Sequence, residues 1–297
     1  MKGVKLQTVY SIIPEFEQYL KEKDSRPKTI EAYLADLKKF IKWYQETAGE
    51  LPEAASVGPL DIAEFKRHLQ NKGYKPATVN RILQSLKIFF SWAEEVGVAK
   101  DNPAGSIKMI PVVKSAPRSL ESKERQALIR AVYRAGKERD IAIVTLLMHT
   151  GLRVSELCAL TLDDIKLRER SGYLTVRSGK GNKYREVPLN LTARKALKNW
   201  LAVRGDDPGP LFPGKTGRAM SIRNIEYMIE KYAYNARLED ITPHVLRHTF
   251  CKALVDAGES LDRVAELAGH SDLNVTARYT RPTRRDLQKS VDKLAWE

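Results

Sequence analysis

The sequence predicts a mainly α-helical protein in two domains: an N-terminal helical bundle, then an α+β domain with one small β-hairpin. Three observations point there. Apolar residues recur at helical spacing through most of the chain. That spacing lapses near residues 101–117, where Pro103, Gly105, Pro111 and Pro117 interrupt it. Only residues 173–189 change to strict alternation around a Gly-rich turn. A length of 297 residues suits two domains better than one.

The first predicted helix runs from about Thr8 to Lys23. The second opens at Pro27, whose fixed φ suits a first helical turn, and gathers Ile30, Tyr33, Leu34, Leu37, Phe40, Ile41 and Tyr44 on one face. The third spans about Leu60 to Asn71 and stops at Gly73, a plausible cap. The fourth starts near Pro76, turns Val79, Leu83, Leu86, Phe89, Phe90 and Ala93 inward, and ends near Gly97. These four make a bundle over residues 1–105, and residues 106–118 read as a linker.

The second domain, 119–297, opens with helices near 120–135 and 138–150 and a helical turn after Val154. Residues 173–177 and 184–189 alternate on either side of Ser178-Gly179-Lys180-Gly181-Asn182-Lys183, a hairpin with a basic tip. Helices return near 192–203, 221–236, 243–257, 260–268 and 273–280, with a last one over 284–296.

Composition narrows the function. The first ten residues lack the apolar core of a secretory leader, and the longest apolar run, 141–148, is far short of the roughly 20 residues of a membrane span. A cytoplasmic protein with no membrane partner is expected. Its two cysteines, Cys158 and Cys251, then read as reduced core residues. The net charge is +14 and unevenly spread: 17 Lys and Arg face 14 Asp and Glu in residues 1–110, against 34 and 23 in the remainder. Such an excess attracts nucleic acid, although solubility alone also accounts for part of it.

Four segments combine residues that packing alone does not explain. Arg153 follows Gly151 and precedes a helix, with Glu156 one turn on; a guanidinium grips phosphate by two parallel charged hydrogen bonds. Lys180 and Lys183 sit on the hairpin tip, where a lysine can reach a DNA groove or protonate a leaving oxygen. His244 and Arg247 share a helix face at i, i+3. His248 reads as a buried, hydrogen-bonded core residue; a zinc-protease motif is disfavoured because Val245 stands where its Glu belongs. His270 follows Gly269, and Tyr279 lies nine residues later. Singly, each has an ordinary explanation: a surface ion pair, a solvated turn, a core aromatic. Jointly they supply what phosphoryl transfer to a phenol needs. Arginines and imidazoles stabilise the equatorial oxygens, a lysine protonates the departing 5′-oxygen, and cations lower the phenol pKa from its usual value near 10.

The order Arg153, Lys180, His244-x-x-Arg247, His270, Tyr279 resembles the tyrosine recombinase family of phage integrases and Xer-type proteins. The shared motifs are Thr-Gly-Leu-Arg-x-Ser-Glu-Leu at 150–157, Gly-Lys-Gly-Asn-Lys before Arg-x-Val-Pro-Leu at 179–189, Leu-Arg-His-Thr-Phe at 246–250, and Leu-x-Gly-His with Tyr nine residues on. The resemblance covers nearly the whole chain. It implies Arg153 and Arg247 as a clamp on the scissile phosphate, Lys180 as general acid (Lys183 fits that position less well), His244 and His270 as pocket imidazoles, Tyr279 as nucleophile and Glu156 as a supporting acid. It also implies a core-binding domain over 1–105 and double-stranded DNA with paired inverted arms. Two such sites would be held by four protomers, alone or with a paralogous recombinase, and no metal, ATP or other cofactor is called for. The segment 284–297, with Leu287, Val291 and Leu294 at i, i+4, i+7, would then dock on a neighbouring protomer. On the fourth helix Lys75, Arg81 and Lys87 are candidates for phosphate contacts. Within the family, the absence of an extra N-terminal domain favours a Xer-like resolver of dimers or a compact mobile-element integrase. A type IB topoisomerase, or an accessory DNA-binding protein without chemistry, are the competing readings.

Overall fold

A computed structural model of the chain describes residues 7–112, 116–177, 184–270, 272–282 and 284–294. The chain divides into two compact units, Met1–Lys114 and Ser115–Glu297.

The first unit holds α1 (Ile13–Glu22), α2 (Pro27–Ala48), α3 (Pro59–Asn71) and α4 (Pro76–Glu95). Each opens with a proline in its first turn, where a missing N–H costs nothing. Helix α1 begins later than its periodicity suggests because the preceding residues pair with an extended stretch: Val9 N–H donates to Pro52 O (2.8 Å) and Ala54 N–H to Gln7 O (2.9 Å). The core is aromatic. Phe16 meets Phe89 edge-on at 5.2 Å and Phe40 meets Phe65 at 5.3 Å, and each ring so buried contributes roughly 1.5–3 kcal/mol.

The expected linker is partly docked. Ile107, Met109 and Ile110 pack against this core. Asn80 holds the Ile110 backbone through both its amide groups at 2.8 Å, and Lys66 Nζ donates to Lys108 O at 2.8 Å. Apolar residues between the breakers give the segment something to bury, so the connection begins later than residue 106.

The second unit comprises α5 (Ser122–Arg134), α6 (Glu138–Thr150), α7 (Val154–Ala159), β1 (Ile165–Leu167), β2 (Gly172–Arg177), β3 (Tyr184–Pro188), α8 (Leu191–Arg204), α9 (Ile222–Asn235), α10 (Pro243–Asp256), α11 (Leu261–Ala268), α12 (Leu273–Thr276), a 3-10 turn (Ala277–Thr280) and α13 (Arg284–Asp292). Residues 141–148, the longest apolar run, fall in α6 and are all buried in the main core. The strands form an antiparallel sheet in the order β1-β2-β3. Its register sets Leu174 opposite Val187 and Val176 opposite Arg185. Strand β1 is three residues long and gives no alternation signal in the sequence. The helix expected over 273–280 is two short pieces, α12 and the turn that carries Tyr279.

Candidate active site

The site is assembled by helix ends. Helix α6 stops at Gly151, whose φ of +63° reverses the chain. Two residues later Arg153 caps α7, and Glu156 at the third position of that helix accepts a hydrogen bond from the Arg153 N–H at 2.8 Å. The same carboxylate accepts from the Arg153 guanidinium at 2.8 Å, while the other arm of Arg153 donates to Gly269 O at 2.8 Å. Helix α10 starts under a Thr242 cap and delivers His244, with Arg247 and His248 one turn further on. Arg247 is buried and donates to Gly151 O at 2.5 Å. Phe250 presses against Gly151 so closely that a Cβ there would stand 2.4 Å from its ring. Helix α11 ends at Gly269 (φ +68°), which turns His270 toward Tyr279.

Two imidazoles flank the phenol and a third packs behind one of them. His244 packs on His248 at 4.1 Å between centroids, His248 on Tyr279 at 5.5 Å, and His270 lies parallel to Tyr279 at 6.3 Å. Tyr279 Oη lies 2.5 Å from His248 Nδ1, and His270 Nδ1 lies 2.8 Å from Thr276 Oγ1. Tyr279 is 3% exposed, in a small cluster with Cys251, Val264 and Ala268.

Burial dominates the electrostatics. It brings His248 down to about 4, with help from His244 and Arg278, and His270 to about 4, with help from Arg247 and Arg153. His244 is lowered by burial and by Arg247. The three imidazoles are therefore neutral at neutral pH. Burial raises the Tyr279 phenol, the Cys251 thiol beside it raises it further, and Arg247 and Arg278 offset only part of this. The expectation that cations depress this phenol is thus reversed here: desolvation outweighs them. Tyr279 is thus protonated and His248 neutral, and the hydrogen bond between them takes its direction from the imidazole tautomer. Burial pushes the Glu156 carboxyl up, but hydrogen bonds from Arg185 and the Arg153 backbone more than compensate, and it stays below its usual range.

The structure thus brings Arg153, Glu156, His244, Arg247, His270 and Tyr279 to one place. Lys180 and Lys183 lie outside the described residues. On α4, Lys75 is exposed, Lys87 Nζ reaches Gly105 O at 3.2 Å, and both terminal nitrogens of Arg81 are engaged by the buried Asp36 carboxylate. Residues 118–285 match the profile of the phage integrase family, and residues 13–97 that of the phage integrase N-terminal SAM-like domain.

The chain belongs to the phage integrase family.

Relatives of this integrase-family chain include tyrosine recombinase XerC of Thermodesulfovibrio yellowstonii, 37% identical over 66% of this chain and 68% of the relative. Tyrosine recombinase XerA of Pyrococcus furiosus is 37% identical over 61% of the chain, which spans 63% of that protein. The XerA of Thermococcus onnurineus is 32% identical over 97% of the chain and 96% of its own length. Among solved structures, a XerA recombinase superposes with a TM-score of 0.54 at 26% identity, covering 97% and 99% of the two chains. A lambda integrase dimer bound to a COC′ core site gives 0.76 at 18% identity over 98% of each, a likeness of fold.

Four further residues of the pocket of this integrase-family chain had no role assigned from sequence, two of them, Arg185 and His248, inside the shared motifs. Arg185 ion-pairs with Glu156 at 2.9 Å; in sequence it opens the Arg-x-Val-Pro-Leu motif, which does not reveal its partner. His248 was expected in the core, and its hydrogen bond turns out to be with Tyr279. Thr276 and Cys251 touch His270 and Tyr279 respectively. The i, i+4 pairing of His244 with His248 and the place of His248 in Leu-Arg-His-Thr-Phe were the signals available for it.

Proposed function

We propose that the chain is a site-specific tyrosine recombinase acting on double-stranded DNA. The observation that carries this reading is the gathering of two arginines and the imidazoles around Tyr279: Arg247 acts on the phenol, His270 lies parallel to its ring with Arg153 close by, and His244 packs on His248, which its hydroxyl meets. In the proposed step Tyr279 Oη bonds to phosphorus and the P–O5′ bond breaks. The phenol proton passes to a pocket imidazole, and Lys180 supplies the proton that makes the 5′-hydroxyl. Arg153 and Arg247 stabilise the equatorial oxygens. The 3′-phosphotyrosyl bond retains the phosphodiester energy, so religation to another strand needs neither ATP nor a metal. An arriving phosphate raises the imidazole pKa values by its charge, which readies them to take and return protons. The described conformation is a resting one, since a phenol 3% exposed must shift to meet phosphate. Two DNA sites held by four copies, and docking of α13 on a neighbour, complete the reading. The exposed Leu287, Val291 and Leu294 on and just past α13 support it.

Nicked suicide duplexes, which lose the strand needed for religation, test the chemistry. Wild type should form a covalent adduct in the presence of a chelator, and Tyr279→Phe should bind DNA and form none. An adduct in that variant would overturn the mechanism. Relaxation of supercoils without exchange between two sites would favour the topoisomerase alternative.

A further inference from the structure

We propose that Arg185 is a positioning residue for the phosphate clamp: it holds the Glu156 carboxylate so that Arg153 keeps its charge available to DNA. The inference rests on the recombinase reading above.

One carboxylate faces two guanidiniums. Glu156 Oε1 accepts from Arg153 at 2.8 Å and from Arg185 at 3.1 Å; Oε2 accepts from the Arg153 N–H at 2.8 Å and from Arg185 at 2.9 Å. The two arginines are not equivalent. The Arg185 side chain is 14% exposed and that of Arg153 45%. Arg185 is therefore the interior partner, and Arg153 is the one an incoming phosphate can meet. The backbone is shaped around the interior guanidinium. Its Nε donates to Leu267 O at 3.3 Å, and a Cβ on Gly269 would stand 2.6 Å from its Cζ. Arg153 donates to Gly269 O, two residues beyond Leu267. Both arginines thus grip the last turn of α11, directly before His270.

Charge decides what this knot does. Two guanidiniums and one carboxylate sum to +1, and the surplus lies on the exposed member. Without Arg185, Glu156 has only Arg153 to neutralise it; the pair sums to zero, and a half-buried carboxylate draws Arg153 away from the phosphate. Among the described residues the Arg185 guanidinium donates to Glu156 and Leu267 O and not to Tyr279, so its main effect runs through Glu156 and Arg153, beside a smaller one of its charge on His270. That gives a signature which simple loss of stability does not. Removing the carboxylate charge as well should restore part of the lost rate, because the competitor for Arg153 is gone.

The probe is duplex DNA selected by the wild-type chain from a random-sequence pool, then nicked to trap the adduct. Arg185→Ala should slow single-turnover adduct formation by roughly tenfold to a hundredfold, the range usual for removing a group that orients a liganding side chain. Adding Glu156→Gln to that variant should speed it up. A 5′-bridging phosphorothiolate, whose thiolate leaves without a proton, should not rescue Arg185→Ala, since the defect lies in the clamp. Should the alanine variant melt, Arg185→Lys keeps the charge and loses the fork, and is expected to react at an intermediate rate. A wild-type rate in Arg185→Ala, a double variant as slow as Arg185→Ala or slower, or full rescue by the phosphorothiolate would each overturn the proposal. An adduct in Tyr279→Phe would instead overturn the recombinase reading itself, so the two failures are distinguishable.

Discussion

Tyr279 is held in a state that opposes the nucleophilic role proposed for it. Its hydroxyl is buried, raised in pKa and hydrogen-bonded to a neutral imidazole. The neighbouring rings make a pH prediction. An imidazole whose folded pKa is about 4 binds fewer protons in the native state than in the unfolded chain, where the value is near 6.5. The stability that His248 and His270 allow is therefore complete above about pH 6.5 and declines as pH falls toward about 4. Melting temperature should drop from pH 7.5 to pH 5, and His248→Gln together with His270→Gln should flatten that slope. An unchanged slope in the double variant would contradict the assignment. At this scale the sequence revealed residues that stand beside glycine turns or on a shared helix face, such as Arg153, His244, Arg247 and His270. It showed Arg185 in a motif but hid its role, because alternation in a strand marks a face and says nothing of a partner 29 residues back.

Helix ends do most of the positioning. Gly151 is the sharpest case: its φ is +63° and Phe250 fills the space where a Cβ would go. Gly151→Ala should destabilise by about 1–2 kcal/mol for the left-handed backbone alone, with overpacking against Phe250 adding a further 1–3 kcal/mol or so. Thermal melting checks this, and adduct formation should fall with it because Arg153 lies two residues on. On α4, Arg81 and Lys75 should behave oppositely. Arg81→Ala leaves Asp36, 1% exposed, with Ser85 as its remaining side-chain donor among the described residues and should cost about 3 kcal/mol. Lys75→Ala should leave melting unchanged and lower DNA affinity, with the salt slope reduced by about one. Equal melting of the two variants would contradict that division. Elements of ten residues or more were legible because each repeats its apolar spacing several times. Strand β1 and the split after Thr276 were not, since three or four residues carry no period.

The whole chain divides as its charge does, with a nearly balanced first unit and a strongly basic second one. Two domains were legible from the cluster of prolines; where the connection starts was not, because Ile107, Met109 and Ile110 dock on the bundle. The exposed stripe on the C-terminal segment belongs to this scale too. Deleting residues 285–297 should leave the monomer's melting temperature unchanged and abolish cooperative assembly on DNA, read by gel shift; unaltered cooperativity would contradict docking on a neighbour. The central claim is that one phenol among 12 tyrosines forms the bond to DNA. Trypsin digestion of the trapped adduct, followed by mass spectrometry, addresses it directly. The account predicts the nucleotide on the peptide spanning residues 279–284, at Tyr279. A nucleotide on any other residue would contradict it.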